Sequence, residues 1–290
     1  MSFDSLGDRP GAPSTLPPVA PLVLEPHEEP TFASRRVNLP IILFLATCLT
    51  TFFAAGPIFA AALMLTLTCH EMGHFIQARR YRVPASLPYF IPMPIGPFGT
   101  MGAVIGMRGN MGSRKAVFDI GISGPLAGLV PALFFTVIGL LWSTVEPKNS
   151  TAMGLGDPLL FKILASWIFG PLPQGEDIYL HPLAYAGWVG IFITALNLFP
   201  IGQLDGGHIL YALLRNKAQL VATVVLYAAV GAVIITHRYE WLMMLMLLML
   251  MGPKHPPTAN DDEPLGTGRT ILGWLTLSFL IIGFTPVPFV

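Results

Sequence analysis

The chain has 290 residues, 53% of them hydrophobic and 11% charged, and its mean hydropathy is +0.64. A soluble domain carries about 25% charged residues, and a soluble core of this length cannot hide so much apolar surface, so the composition calls for a lipid solvent. Equal numbers of basic and acidic residues, 16 each, leave no basic field for nucleic acid, and the 2 cysteines, Cys48 and Cys69, both in apolar runs, argue against a disulfide framework or a cysteine-based zinc site.

Residues 1–38 stand apart. Seven prolines between Pro10 and Pro30, among scattered acids, predict a disordered tail that cannot pack. The tail lacks the basic start and short apolar core of a signal peptide and is too acidic for a transit peptide. After it come apolar runs long enough, or nearly so, to cross a bilayer, which takes about 20 residues. We place them at 39–55, 57–80, 116–142, 183–200, 218–236, 239–252 and 270–288. The expected fold is therefore an all-α polytopic membrane protein of six to seven transmembrane helices. The run at 239–252 is short enough to be a tilted or partial span, or one half of a hairpin with its neighbour.

Charge placement orients the spans. Arg35 and Arg36, then Arg79, Arg80 and Arg82, then Arg108, Arg114 and Lys115, then Arg215 and Lys217, and finally Lys254 and Arg269 all fall on one side if the spans alternate. By the positive-inside rule this side, with the N-terminus, is cytosolic, and the 143–182 connection lies outside. That connection is too short to hold a typical extra-membrane domain.

Residues 84–106, PASLPYFIPMPIGPFGTMGAVIG, are apolar yet too rich in proline to be a regular helix. Irregular backbone at membrane depth survives only where protein or a water-filled cavity covers it. The stretch is read as a re-entrant or membrane-dipping element with extended pieces near Gly99–Val104, whose edge could pair with an extended peptide. An ordinary surface loop is the alternative.

The chemistry centres on His70, Glu71, Met72, Gly73 and His74, an H-E-x-x-H inside the apolar segment 55–78. On a helix, residues four apart share a face, so both imidazoles can reach one metal while Glu71 takes a proton from water. Two histidines and a carboxylate in a membrane helix are expensive without a task; a structural polar cluster is the alternative. Catalytic zinc wants a third protein ligand and an open position. Asp205, in NLFPIGQLDGGH at 197–208, falls by topology at the same depth as the histidines, with glycines on either side that allow a bend. Asp205 is therefore chosen as the third ligand, a helix-capping turn residue being the alternative. Asn197 could donate to an oxyanion or to substrate backbone, or else make a helix–helix hydrogen bond. His208 is left outside the ligand set, Asp119 is expected to pair with Arg114 and Lys115, and Gly124 and Gly128 read as small-residue helix packing.

HEMGH within a span, followed by NLFPIGQLDGG, resembles the site-2 protease family of intramembrane metalloproteases. The SGPLAG at 123–128 and the Pro/Gly-rich stretch after the first motif also resemble that family, and the PYFIP…FG…A run is most similar to its plant and cyanobacterial type. The resemblance implies one Zn2+ per chain held by His70, His74 and Asp205, with Glu71 as base. It implies a membrane-embedded metalloprotease domain over 39–290, its catalytic core at 57–215. A bacterial plasma membrane is the expected location, an organelle membrane the alternative. The reaction would be regulated intramembrane proteolysis of single-span substrates, after an upstream site-1-type protease. A membrane metallopeptidase of another class, or a non-catalytic metal-binding membrane protein, are the competing readings.

Overall fold

The computed structural model describes residues 38–107, 112–148, 154–254, 258, 260 and 262–289. The tail expected at 1–38 lies outside the described residues except for its last position. Eight α-helices and two small hairpins are described, and three helices are long and apolar enough to cross a membrane.

The first of these, α1 (Asn38–Arg80), is helical except at Ala55, with φ −152°, and Gly56, with φ +83°. Phe44, Cys48 and Phe52 line one cavity together with Thr68, Met64 and Ala60. In a straight helix Phe44 and Thr68 would be about 36 Å apart, at 1.5 Å per residue. The chain therefore folds back at Gly56, and its two arms are the expected spans 39–55 and 57–80. Glycine allows the φ at the turn, and Pro57 starts the second arm with its ring already set for a helix.

The stretch expected to be extended forms a hairpin of β1 (Tyr89–Pro92) and β2 (Thr100–Val104). It is antiparallel, pairing Tyr89 with Val104 and Phe90 with Ala103. Buried Phe90 packs edge-on against Phe44, with ring centroids 5.1 Å apart. At the tip, the Gly99 carbonyl accepts the Thr50 hydroxyl at 2.6 Å and the Pro97 carbonyl accepts the Tyr185 hydroxyl at 3.0 Å. The element is thus held by the apolar helices, as irregular backbone among membrane spans must be.

Next, α2 (Arg114–Leu141) is capped by Ser113 and crosses to α4 (Pro182–Asn197), capped by His181 with Pro182 at its first position. The turn 198–204 leads into α5 (Asp205–Leu214), which is followed by α6 (Lys217–Thr236), α7 (Leu242–Met251) and α8 (Thr267–Gly283). The spans expected at 116–142, 183–200, 218–236, 239–252 and 270–288 correspond to α2, α4, α6, α7 and α8, although only α1, α2 and α6 have full crossing length.

The 143–182 connection holds elements that the sequence reading did not place. It carries α3 (Leu159–Phe169) and a second hairpin of β3 (Thr144–Pro147) and β4 (Glu176–Tyr179). A two-stranded ribbon and one short helix fit between two span ends without the core that a separate domain needs.

The helices alternate between two ends of the bundle. At one end Arg114 donates to the Ala212 carbonyl at 2.6 Å, Lys115 pairs with Glu263 at 2.9 Å and Arg215 pairs with Asp262. At the other, Trp142 meets His181 edge-on and Trp188 donates to the Gly156 carbonyl at 2.9 Å. The largest buried cluster, around Phe59, Leu63, Trp188 and Phe192, lies between the ends. Asp119 departs from expectation. Its partners are Arg269 and Tyr81, brought by α8 and by the residue following α1, and not the basic residues of its own first turn.

Candidate metal centre

His70 and His74 sit one turn apart on the second arm of α1, buried together with Glu71. The motif lies six residues before the arm's end, so it is about 9 Å inside the basic end of the bundle. The Nε2 atoms of the two rings are 3.2 Å apart. The Asp205 carboxylate closes the triangle, with Oδ2 at 3.0 Å from His70 Nε2 and Oδ1 at 3.2 Å from His74 Nε2.

This donor set fits a metal. Ligand atoms about 2.0–2.1 Å from a tetrahedral zinc stand roughly 3.3 Å from one another, close to the edges of this triangle. His74 Nδ1 is 2.7 Å from the Ile120 carbonyl, so that nitrogen donates and Nε2 keeps its lone pair. With that nitrogen committed, the Nε2 atoms of both rings and the Asp205 carboxylate are left facing one another in a buried site that could hold a cation.

The local sequence explains how Asp205 arrives. It is the first helical residue of α5, after Leu204 in extended conformation, and its carboxylate is turned to the histidines instead of capping the helix. The turn before it is tight, with Gly202 at φ +56°. A Cβ at Gly206 would collide with the carbonyls of Leu198 and Phe199, and one at Gly207 would sit 2.8 Å from the Ile201 carbonyl. Larger residues would push α5, and Asp205 with it, away from α1.

The remaining residues fall as follows. Asn197, the last residue of α4, places Nδ2 3.4 Å from His70 Nε2. His208 is buried against Gly121 and is outside the three-residue group that could hold a metal. Gly124 and Gly128 have a more specific place than general helix packing. A Cβ at Gly124 would run into the His74 ring at Nε2, and one at Gly128 would lie 2.9 Å from the His70 Cβ. The glycine spacing was a signal in the sequence, whereas the Ile120 carbonyl left none.

The sequence profile of peptidase family M50 matches residues 58–236, which contain all of these side chains. The chain belongs to peptidase family M50. Among curated proteins, this M50 chain is 28% identical over 230 residues to "Probable zinc metalloprotease EGY1, chloroplastic" of Arabidopsis thaliana, covering 76% of this chain and 41% of that protein. It is 29% identical to the protein of the same name from Oryza sativa subsp. japonica, over 76% of this chain and 38% of the other. To "Probable zinc metalloprotease EGY2, chloroplastic" of Arabidopsis thaliana it is 27% identical, over 78% of this chain and 41% of the other. The chain thus spans about two fifths of the length of these relatives. The resemblance to the site-2 protease family of plant type is borne out. No solved structure matches the chain.

Proposed function

We propose that this M50 chain is an intramembrane zinc metalloendopeptidase that hydrolyses peptide bonds in or near the transmembrane segment of membrane-protein substrates. One observation carries the reading: His70, His74 and Asp205, the last 131 positions beyond the nearer histidine, converge within apolar helices beside a buried Glu71. These three residues would hold one Zn2+, which when bound supplies a Lewis acid for the scissile carbonyl and acidifies water.

The chain's own residues do the rest. Glu71 takes the proton of the attacking water and delivers it to the leaving amine. His74 is held in one tautomer by Ile120. The Asn197 amide donates to the developing oxyanion or to substrate backbone. The apolar surroundings exclude bulk water and strengthen each of these interactions. The β1–β2 hairpin offers an extended edge along which an unwound substrate can lie.

We further assign the basic end of the bundle, with the N-terminus, to the cytosolic face, on the positive-inside rule. Residues 39–290 are assigned to the protease domain. Regulated proteolysis of single-span substrates after an upstream site-1-type cut is the expected setting. A bacterial plasma membrane is the location inferred for it; the relatives' printed location makes an organelle membrane the competitor, and fractionation decides between them.

The test is co-expression with candidate single-span substrates, comparing wild type with Glu71→Gln. Loss of cleavage with zinc retained near one per chain supports the reading. A wild-type chain that binds zinc and cuts no membrane substrate would favour a non-catalytic metal protein.

A further inference from the structure

One residue away from the carbonyl that orients His74, side chains from three separate parts of the chain meet. Arg269, in the first turn of α8, donates from Nε to Asp119 Oδ1 at 2.8 Å and from Nη2 to Asp119 Oδ2 at 2.9 Å. Tyr81, immediately after α1, donates its hydroxyl to Asp119 Oδ2 at 2.5 Å. The Asp119 side chain is only 16% exposed, and its neighbour Ile120 is fully buried.

Two rungs therefore join α1 to α2. One is the His74 ring on the Ile120 carbonyl; the other is Tyr81 on Asp119, seven residues along α1 and one along α2. Arg269 locks the second rung from outside. Its planar fork binds both carboxylate oxygens, which fixes the direction of the carboxylate and not only its distance. Arg269 lies beyond residues 58–236, so this leg of the assembly comes from outside the family match.

We propose that Tyr81, Asp119 and Arg269 are positioning residues that brace the Ile120 carbonyl and thereby hold His74 for the metal. This rests on the metal-centre reading. Partners one shell beyond a ligating histidine typically change metal affinity by about 10- to 100-fold, and the brace acts one step further out.

The test is a chelator-competition measurement of the zinc dissociation constant on the full chain in detergent, with melting temperature and cleavage kinetics alongside. Arg269→Gln and Asp119→Asn are each expected to weaken zinc about tenfold and to lower kcat with KM unchanged. The double variant should be little worse than either single one, because the pair acts as a unit. Arg269→Lys, which keeps the charge and loses the fork, should fall between. Glu263→Gln, which breaks the Lys115 pair at the same end of the bundle, should keep wild-type affinity. Wild-type zinc affinity in Arg269→Gln and Asp119→Asn, with only a lower melting temperature, would overturn the proposal. If neither variant folds, Tyr81→Phe decides, since it removes one hydroxyl: several-fold weaker zinc supports the brace and unchanged zinc overturns it. A wild-type chain without zinc affinity sinks the metal reading and the brace together, whereas tight wild-type binding with indifferent variants sinks the brace alone.

Discussion

Gly124 lies against the His74 ring with no room for a methyl group, although nothing in its own backbone requires glycine. Gly124→Ala should therefore displace the ring or the helix. The expected outcome is loss of most zinc binding together with about 1–3 kcal/mol of stability, the usual penalty for overpacking. Zinc stoichiometry and thermal unfolding of the purified variant check both halves of this prediction. The ligands should behave differently. Asp205→Ala removes a carboxylate from a helix start that it does not cap, so zinc should be lost while the helix remains. Circular dichroism beside metal analysis separates the two effects.

The helices offer two glycines whose substitution should fail for opposite reasons. At Gly56 a Cβ would meet nothing within 4 Å, but the backbone stands at φ +83°, ψ 178°, a region close to forbidden for other residues. Gly56→Ala should cost about 1–3 kcal/mol through backbone strain alone. At Gly187 the backbone is ordinary helix, but α2 crosses so closely that a Cβ would lie 2.7 Å from the Thr136 Cα. Gly187→Ala should cost about as much through crowding, and Gly187→Leu more, whereas at position 56 side-chain size should matter little. Urea or thermal unfolding in detergent across the two series distinguishes strain from crowding. The close approach at Gly187 has a consequence for the site. It sets the spacing of α2 and α4, which carry Ile120 to His74 and Asn197 to His70.

For the whole molecule, metal and fold should be coupled. The three residues that could hold a metal come from two helices far apart in sequence, so an ion bound there would tie α1 to α5. A chelator should lower the melting temperature and zinc should restore it. The ion should contribute about 2.7 kcal/mol when free zinc is a hundredfold above its dissociation constant. A melting temperature that ignores zinc would place the ion elsewhere. Cleavage should also depend on the substrate helix, because a helix hides its carbonyls in its own hydrogen bonds. Substrates with glycine or proline near the scissile bond should be cut faster than versions with leucine or alanine there, measured in the same vesicles.

Much of this molecule was legible in the sequence because the relevant signals are local. Apolar run length marks a span wherever the lipid is the solvent, and residues four apart share a helix face in any helix, so the pairing of His70 with His74 needed no tertiary information. Asp205 was reachable too, since alternating spans assign a depth to every loop and few acids lay at the right one. Other features were decided only by packing. A backbone carbonyl is chemically the same at every position, and only the approach of α1 to α2 selects that of Ile120 for His74. The partner of Asp119 was misread for a related reason: its nearest charges in sequence are Arg114 and Lys115, but the fork that reaches its carboxylate belongs to Arg269, 150 positions away. Helix α3 and the β3–β4 ribbon went unread because elements this short are held by what they touch, not by a period that composition can display. Local periodicity encodes which helices exist and which faces they offer. Which polar atoms meet between those helices is set by the close approach of their backbones, and this exists only in the folded chain.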